Sequence, residues 1–207
     1  MQLDHLYRNE RGGKQASSGV PRQPSSAGAV GRMKPSTGQR MILAIVFTDI
    51  KCSVRMNLRL GDDLTDEAMD AHFRQSRQII ARHQGWEIKS GGDSVLSAFY
   101  SAEAALDYAR ALRANPGHPE LQGRVRAGVH VGPVTWRSGD ISGQAVNFAA
   151  RVVSATGDAR ICLSDLAKTH IDCRARRYGA LRWRPEENVP LKGFPGTHRL
   201  WWLIDVS

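Results

Sequence analysis

Trp86-Glu87-Ile88-Lys89-Ser90-Gly91-Gly92-Asp93-Ser94-Val95-Leu96-Ser97-Ala98-Phe99 is the stretch around which the rest of the chain is read. Two short apolar runs flank a Gly-Gly-Asp-Ser tip, and this predicts a tight β-hairpin. Glycine at such a tip tolerates φ > 0 and lets a ligand approach the backbone. The tip offers one carboxylate, Asp93, with Lys89 just behind it. Alone, the segment reads as a plain hairpin turn; a chemical role needs partners from elsewhere.

Toward the N-terminus, Met41 to Phe47 form a continuous apolar run that ends in Thr48-Asp49, the pattern of a central strand buried on both faces. A carboxylate at the exit of such a strand serves as a metal ligand or catalytic acid, or more blandly as a helix N-cap. After a turn, Asp63–His83 carries apolar residues at Leu64, Ala68, Phe73, Ile79 and Ile80, a surface helix with one packed face. Asp62 and Asp63 read as helix-start acids rather than metal ligands.

Beyond the hairpin, a helix is expected from about Ser101, its cap, to Ala114, stopped by Asn115-Pro116-Gly117. Strands follow at Arg124–Val131 and Pro133–Arg137, joined at Gly132. From Gly143 a helix places Asn147 and Arg151 four apart on one face, beside Asp140. Weaker strands are expected at Ala159–Leu163, around Leu181–Trp183 and at Arg199–Ile204, with Lys192 beside Gly193 in a loop. The sum is an α+β fold: a ferredoxin-like βαββαβ core with additional C-terminal strands and helices covering the sheet on one face. His130 reads as a packed core histidine, and Trp183, Trp201 and Trp202 as core or interface.

At 207 residues the chain is long enough for one domain, residues 41–207, and a tail, residues 1–40. The net charge is +9, and the tail holds seven basic against two acidic residues, more than half of that excess. The rest is mildly basic, which argues against a dedicated nucleic-acid binder and suits a polyanionic small substrate. The tail is rich in Gly, Ser, Pro and Gln and is expected to be disordered, solvated, and at most an incidental nucleic-acid or membrane contact. Met33 and Met41 also raise the expectation that it reflects an upstream start codon. Cys52, Cys162 and Cys173 form no CxxC pair, so reduced thiols are expected and a zinc site is not. No apolar run reaches the roughly 18–20 residues that span a bilayer, and no signal peptide is legible, so a cytoplasmic location is expected.

Five segments occur in order: Phe47-Thr48-Asp49-Ile50, Lys89-Ser90-Gly91-Gly92-Asp93, Arg126-Ala127-Gly128-Val129-His130-Val131-Gly132, Asp140 to Arg151, and Leu191-Lys192-Gly193-Phe194. Together they resemble the catalytic domain of class III nucleotidyl cyclases, over roughly residues 41–203. The resemblance implies conversion of a nucleoside triphosphate to its 3′,5′-cyclic monophosphate, with Asp49 and Asp93 holding two Mg²⁺ or Mn²⁺ ions. Lys89 and Asp140 match the base-reading pair in its adenine-selecting form, which implies ATP as substrate and cyclic AMP as product. Asn147 matches the ribose-orienting residue, Arg151 the residue that stabilises charge on the α-phosphate, and Arg126 and Lys192 the triphosphate contacts. The likeness further implies a head-to-tail homodimer with sites shared between chains. No sensor domain is legible in the 207 residues, so regulation is expected from a partner, a modification or abundance.

Two departures stand out. Cys52-Ser53-Val54 replaces the family's Gly-Ser-Thr, and Gly92-Asp93-Ser94 its Gly-Asp-Gly. Cysteine in place of glycine crowds a backbone whose N–H groups should meet phosphates. Alternatives therefore remain: a weak or inactive homologue that binds nucleotide and dimerises, or a cyclase of GTP or a pyrimidine nucleotide. The tip also resembles the Gly-Gly-Asp-Glu-Phe hairpin of diguanylate cyclases, but the following acid and Phe are missing.

Overall fold

The computed structural model describes residues 35–157, 160–173 and 175–204. The expectation for the tail therefore falls largely outside the described residues, as do residue 159 of one expected strand and residues 205–207. The chain runs β1 (Arg40–Ile50), α1 (Ser53–Leu60), α2 (Asp62–Arg82), β2 (Trp86–Gly91), β3 (Ser94–Phe99), α3 (Ala102–Ala114) and β4 (Val125–Arg137). It continues through β5 (Asp140–Ser142), α4 (Gln144–Ala155), β6 (Ile161–Ser164), α5 (Asp165–Asp172), α6 (Ala175–Tyr178), β7 (Arg182–Val189) and β8 (His198–Ile204). The strands form one sheet in the order β2-β3-β1-β4-β6-β8-β7, with β5 paired to β4. All neighbours are antiparallel except β4 and β6.

The apolar run of β1 is central, as its sequence requires, and it has two faces to bury. Ala44, Val46 and Ile50 pack with residues of α2, α3 and α5. Leu43, Ile45 and Phe47 pack instead with Ala145, Val146, Ala149, Ala150 and Val153 of α4. The expected cover on one face is thus corrected to both faces, because a strand apolar at both parities cannot be buried by a single layer.

The two expected strands at 124–137 are one continuous strand, β4, paired with β1 from Arg40↔Thr135 to Ile50↔Val125. Pro133 does not break it. On its other side β4 pairs with β6 at Ala127–Val129 and with β5 at Thr135–Arg137, so no strand needs the missing N–H between them. Gly128 and Gly132 instead make room for α4: a Cβ on Gly128 would lie 2.4 Å from the Val153 backbone nitrogen, and one on Gly132 would lie 2.6 Å from the Ala145 Cβ.

Candidate active site

Asp49 lies inside β1 rather than at a helix cap, directly opposite Ser94 of β3 and Arg126 of β4. Cross-strand partners share a face, so these three side chains form a row on the α4 side of the sheet. Asp49 is nearly fully buried, 3 % exposed, and its charge must be compensated. Arg126 donates to it through Nε at 2.6 Å and also through Nη2, and through Nη1 to the Thr156 carbonyl at the end of α4, 3.0 Å away.

Asp93 joins this group from the hairpin tip. Gly91↔Ser94 closes the hairpin, and Gly92 has φ 60, the value a type II′ turn gives its first central residue. Ser94 Oγ lies 3.2 Å from Asp49 Oδ1 and 3.3 Å from Asp93 Oδ1, while Ser53 donates to Asp93 Oδ2 at 2.5 Å. Burial, and then the neighbouring Asp93 carboxylate, push the Asp49 carboxyl up to about 6 against the opposing pull of Arg126. Two carboxylates forced together in a half-dry setting fit a hard divalent cation. Among the described residues no group of three or more His, Cys, Asp or Glu side chains could hold a metal. The protein's share would therefore be two carboxylates, with substrate oxygens and water completing the shell, the habit of Mg²⁺.

The loop between Asp49 and α1 carries the cysteine departure. Cys52 is exposed and sits at φ 60, ψ 36, in the left-handed region where glycine is strain-free. Its position explains the family's glycine.

Lys89 pairs with Leu96 across the hairpin, and Leu96 pairs with Phe47, so the lysine shares the face of Asp49. Its Nζ donates to Asp140 Oδ2 at 3.0 Å, and Asp140 Oδ1 accepts from the Ile141 N–H at 2.8 Å. Two residues 51 apart in sequence thus meet as a half-exposed donor and acceptor. Asn147 and Arg151 lie one turn apart on the side of α4 away from its buried alanine and valine seam. Lys192 is exposed in the turn between β7 and β8.

The structure therefore gathers Asp49, Asp93 and Arg126 into one cluster and Lys89 with Asp140 into another. Asn147 and Arg151 lie together on the outer side of α4, and Lys192 lies in the exposed turn between β7 and β8. Sequence reasoning missed Ser53 and Ser94 as hydrogen-bond partners of the carboxylates: Ser94 adjoins Asp93, whereas Ser53 lies 40 residues from it in sequence. His130 is half-buried, its imidazole pushed down to about 4 by burial, and its ring stacks on Phe148 at 4.4 Å.

A family model described as the adenylate and guanylate cyclase catalytic domain matches residues 38–205. An adenylate cyclase of Streptomyces coelicolor is 33 % identical over 112 residues, covering 54 % of this chain and 29 % of the relative. An adenylate cyclase of Streptomyces griseus is 30 % identical over 108 residues, covering 52 % of this chain and 27 % of the relative. The matches thus span less than a third of these relatives' lengths. Among solved structures, a Trypanosoma brucei adenylate cyclase in its monomeric state superposes with a TM-score of 0.69 at 23 % identity, covering 78 % of this chain and 87 % of that one. The adenylyl cyclase CyaB from P. aeruginosa gives 0.68 at 20 % identity, covering 82 % and 96 %. The chain belongs to the adenylate and guanylate cyclase catalytic-domain family.

Proposed function

We propose that this domain converts ATP to 3′,5′-cyclic AMP and pyrophosphate at a site shared between two copies of the chain. The observation that carries this reading is the pairing of Lys89 with Asp140 on the same sheet face as the Asp49–Asp93 carboxylate pair. A lysine donor meets adenine N1, and an aspartate acceptor meets the N6 amine. Guanine would oppose like with like at both positions.

Asp49 and Asp93 would hold two Mg²⁺ or Mn²⁺ ions. The chemistry these supply when bound is acidification of the ribose 3′-hydroxyl and neutralisation of the triphosphate. The 3′-oxygen bonds to the α-phosphorus as the bond to the α–β bridging oxygen breaks. The hydroxyl proton passes to solvent, and the electron pair departs with pyrophosphate. Asn147 orients the ribose, Arg151 stabilises the charge growing on the α-phosphate, and Arg126 and Lys192 bind the β- and γ-phosphates. For Arg126 this means exchanging Asp49 for phosphate. Asn147 and Arg151 project from the outer side of α4 while the carboxylates belong to the sheet, an arrangement that suits facing sites on two chains.

The test is incubation of purified protein with ATP, GTP, CTP or UTP and Mn²⁺ or Mg²⁺, with products read by mass spectrometry. Cyclic AMP from ATP is expected. A cyclic product from GTP or a pyrimidine nucleotide instead overturns the reading of Lys89 and Asp140. No product from any nucleotide points to the nucleotide-binding, dimerising regulator that the strained Cys52 loop would suit.

A further inference from the structure

Lys192 has a long, flexible stem, and its turn contains Gly193 at φ 87 and Gly196 at φ 72. Left unpinned, such a turn would present a mobile charge. Two apolar side chains flank the lysine and pin it. Leu191 is buried in a cluster with Val152 of α4, and the Phe194 N–H closes the turn on the Leu191 carbonyl at 3.0 Å. The Phe194 ring stands edge-on against Phe148, with centroids 4.9 Å apart and planes at 72°.

Phe148 is the α4 residue next to Asn147 and three before Arg151. Its ring is held from beneath by His130 at 4.4 Å and from the side by His198 at 5.1 Å, edge-on. His130 is fixed in turn by a 2.8 Å hydrogen bond between its Nδ1 and the Ser164 hydroxyl. Both phenylalanines are only half-buried and lie at the margin of the buried cluster of Val152, Cys162, Leu191, Leu200 and Trp202. Their contacts run from the floor of the sheet through α4 to the lysine turn.

We propose that Phe194, seated on Phe148, is a positioning residue that holds Lys192 in register with Asn147 and Arg151, so that triphosphate binding depends on an aromatic contact that itself touches no substrate. This rests on the reading of Lys192 as a triphosphate contact. The coupling is short: one ring pair links the turn to the helix, and only Gly193 separates Phe194 from the ammonium-bearing Lys192.

The test is a double-mutant cycle on the intact chain, read as the affinity for 3′-deoxy-ATP with Mn²⁺ by calorimetry. That probe lacks the nucleophilic hydroxyl and is not turned over. Lys192→Ala is expected to weaken binding by about tenfold or more, as for loss of a charged hydrogen bond, and Phe194→Ala by about fivefold. In the Lys192→Ala background Phe194→Ala should add less than about twofold, because neighbours that act through one group are not additive. Phe194→Leu, which keeps apolar contact with Phe148, should recover most of the loss. It also carries the cycle should the alanine variant melt early by circular dichroism. Full additivity of the two substitutions overturns the positioning role. An unchanged affinity in Lys192→Ala refutes the lysine's assignment itself and takes the proposal with it, an outcome distinct from additivity.

Discussion

Gly128→Ala is the substitution that probes how the sheet seats the helix carrying Asn147 and Arg151. The added methyl would lie 2.4 Å from the Val153 nitrogen, 2.7 Å from its Cα and 2.8 Å from its Cβ, where ordinary contact begins near 3.4 Å. The C-terminal half of α4 must therefore retreat by roughly 1 Å, at a cost of about 1–3 kcal/mol for overpacking. In a domain of this size that lowers Tm by about 2–12 °C. A displacement of about 1 Å in a group that orients substrate costs on the order of a hundredfold in kcat. Circular dichroism melts and cyclic-nucleotide formation below the lowered Tm separate the two effects. Two of the three clashing atoms are backbone, so adding Val153→Ala should rescue little. An alanine variant with wild-type Tm and wild-type turnover would refute the close seating of α4 on β4 and the precision asked of Arg151.

Other consequences follow from the same geometry. The Asp49 carboxyl is raised to about 6, so the folded state binds the proton more tightly than the unfolded chain; without divalent cations, stability should fall as pH rises from about 4 to 6 and then level off. Urea unfolding at pH 4.5 and 7.5 reads this, and Asp49→Asn should flatten the slope. Cys52→Gly should raise stability by about 1 kcal/mol, because glycine adopts φ 60 without strain; an equal or lower urea midpoint would contradict that account. Millimolar Mn²⁺ should raise the Tm of the wild type by several degrees through preferential binding to the folded state, and should raise that of Asp93→Ala far less.

The order of elements was legible wherever one residue type had a single physical use. The apolar run of β1, the Gly92 turn and the Ser101 cap, which accepts from Ala104 at 3.2 Å, all stand where the pattern requires. Helices α1 and α5 were not legible, because each is eight residues long and too short to declare a periodic face. The split of β4 at Gly132 was misread because glycine and proline usually mark turns, whereas here their meaning is close approach of a helix and an unpaired stretch beside β6. The family resemblance pointed to the charged side chains and to Lys89 with Asp140 as a pair, but the contacts around Asp49 and Asp93 were not legible. Nothing in the sequence alone says that Arg126 rests on Asp49 or that Ser94 lies between two carboxylates, since those contacts follow from strand register.

The most direct measurement mixes two inactive variants. Asp49→Ala removes a carboxylate from the sheet cluster, and Arg151→Ala removes the cation on α4. Each alone should give no cyclic AMP from ATP and Mn²⁺. Mixed at high concentration, they should regain up to about a quarter of wild-type activity, because a random heterodimer restores one of its two sites. Activity in either single variant, or no recovery in a mixture proven to form heterodimers, would contradict a cyclase site built from two chains.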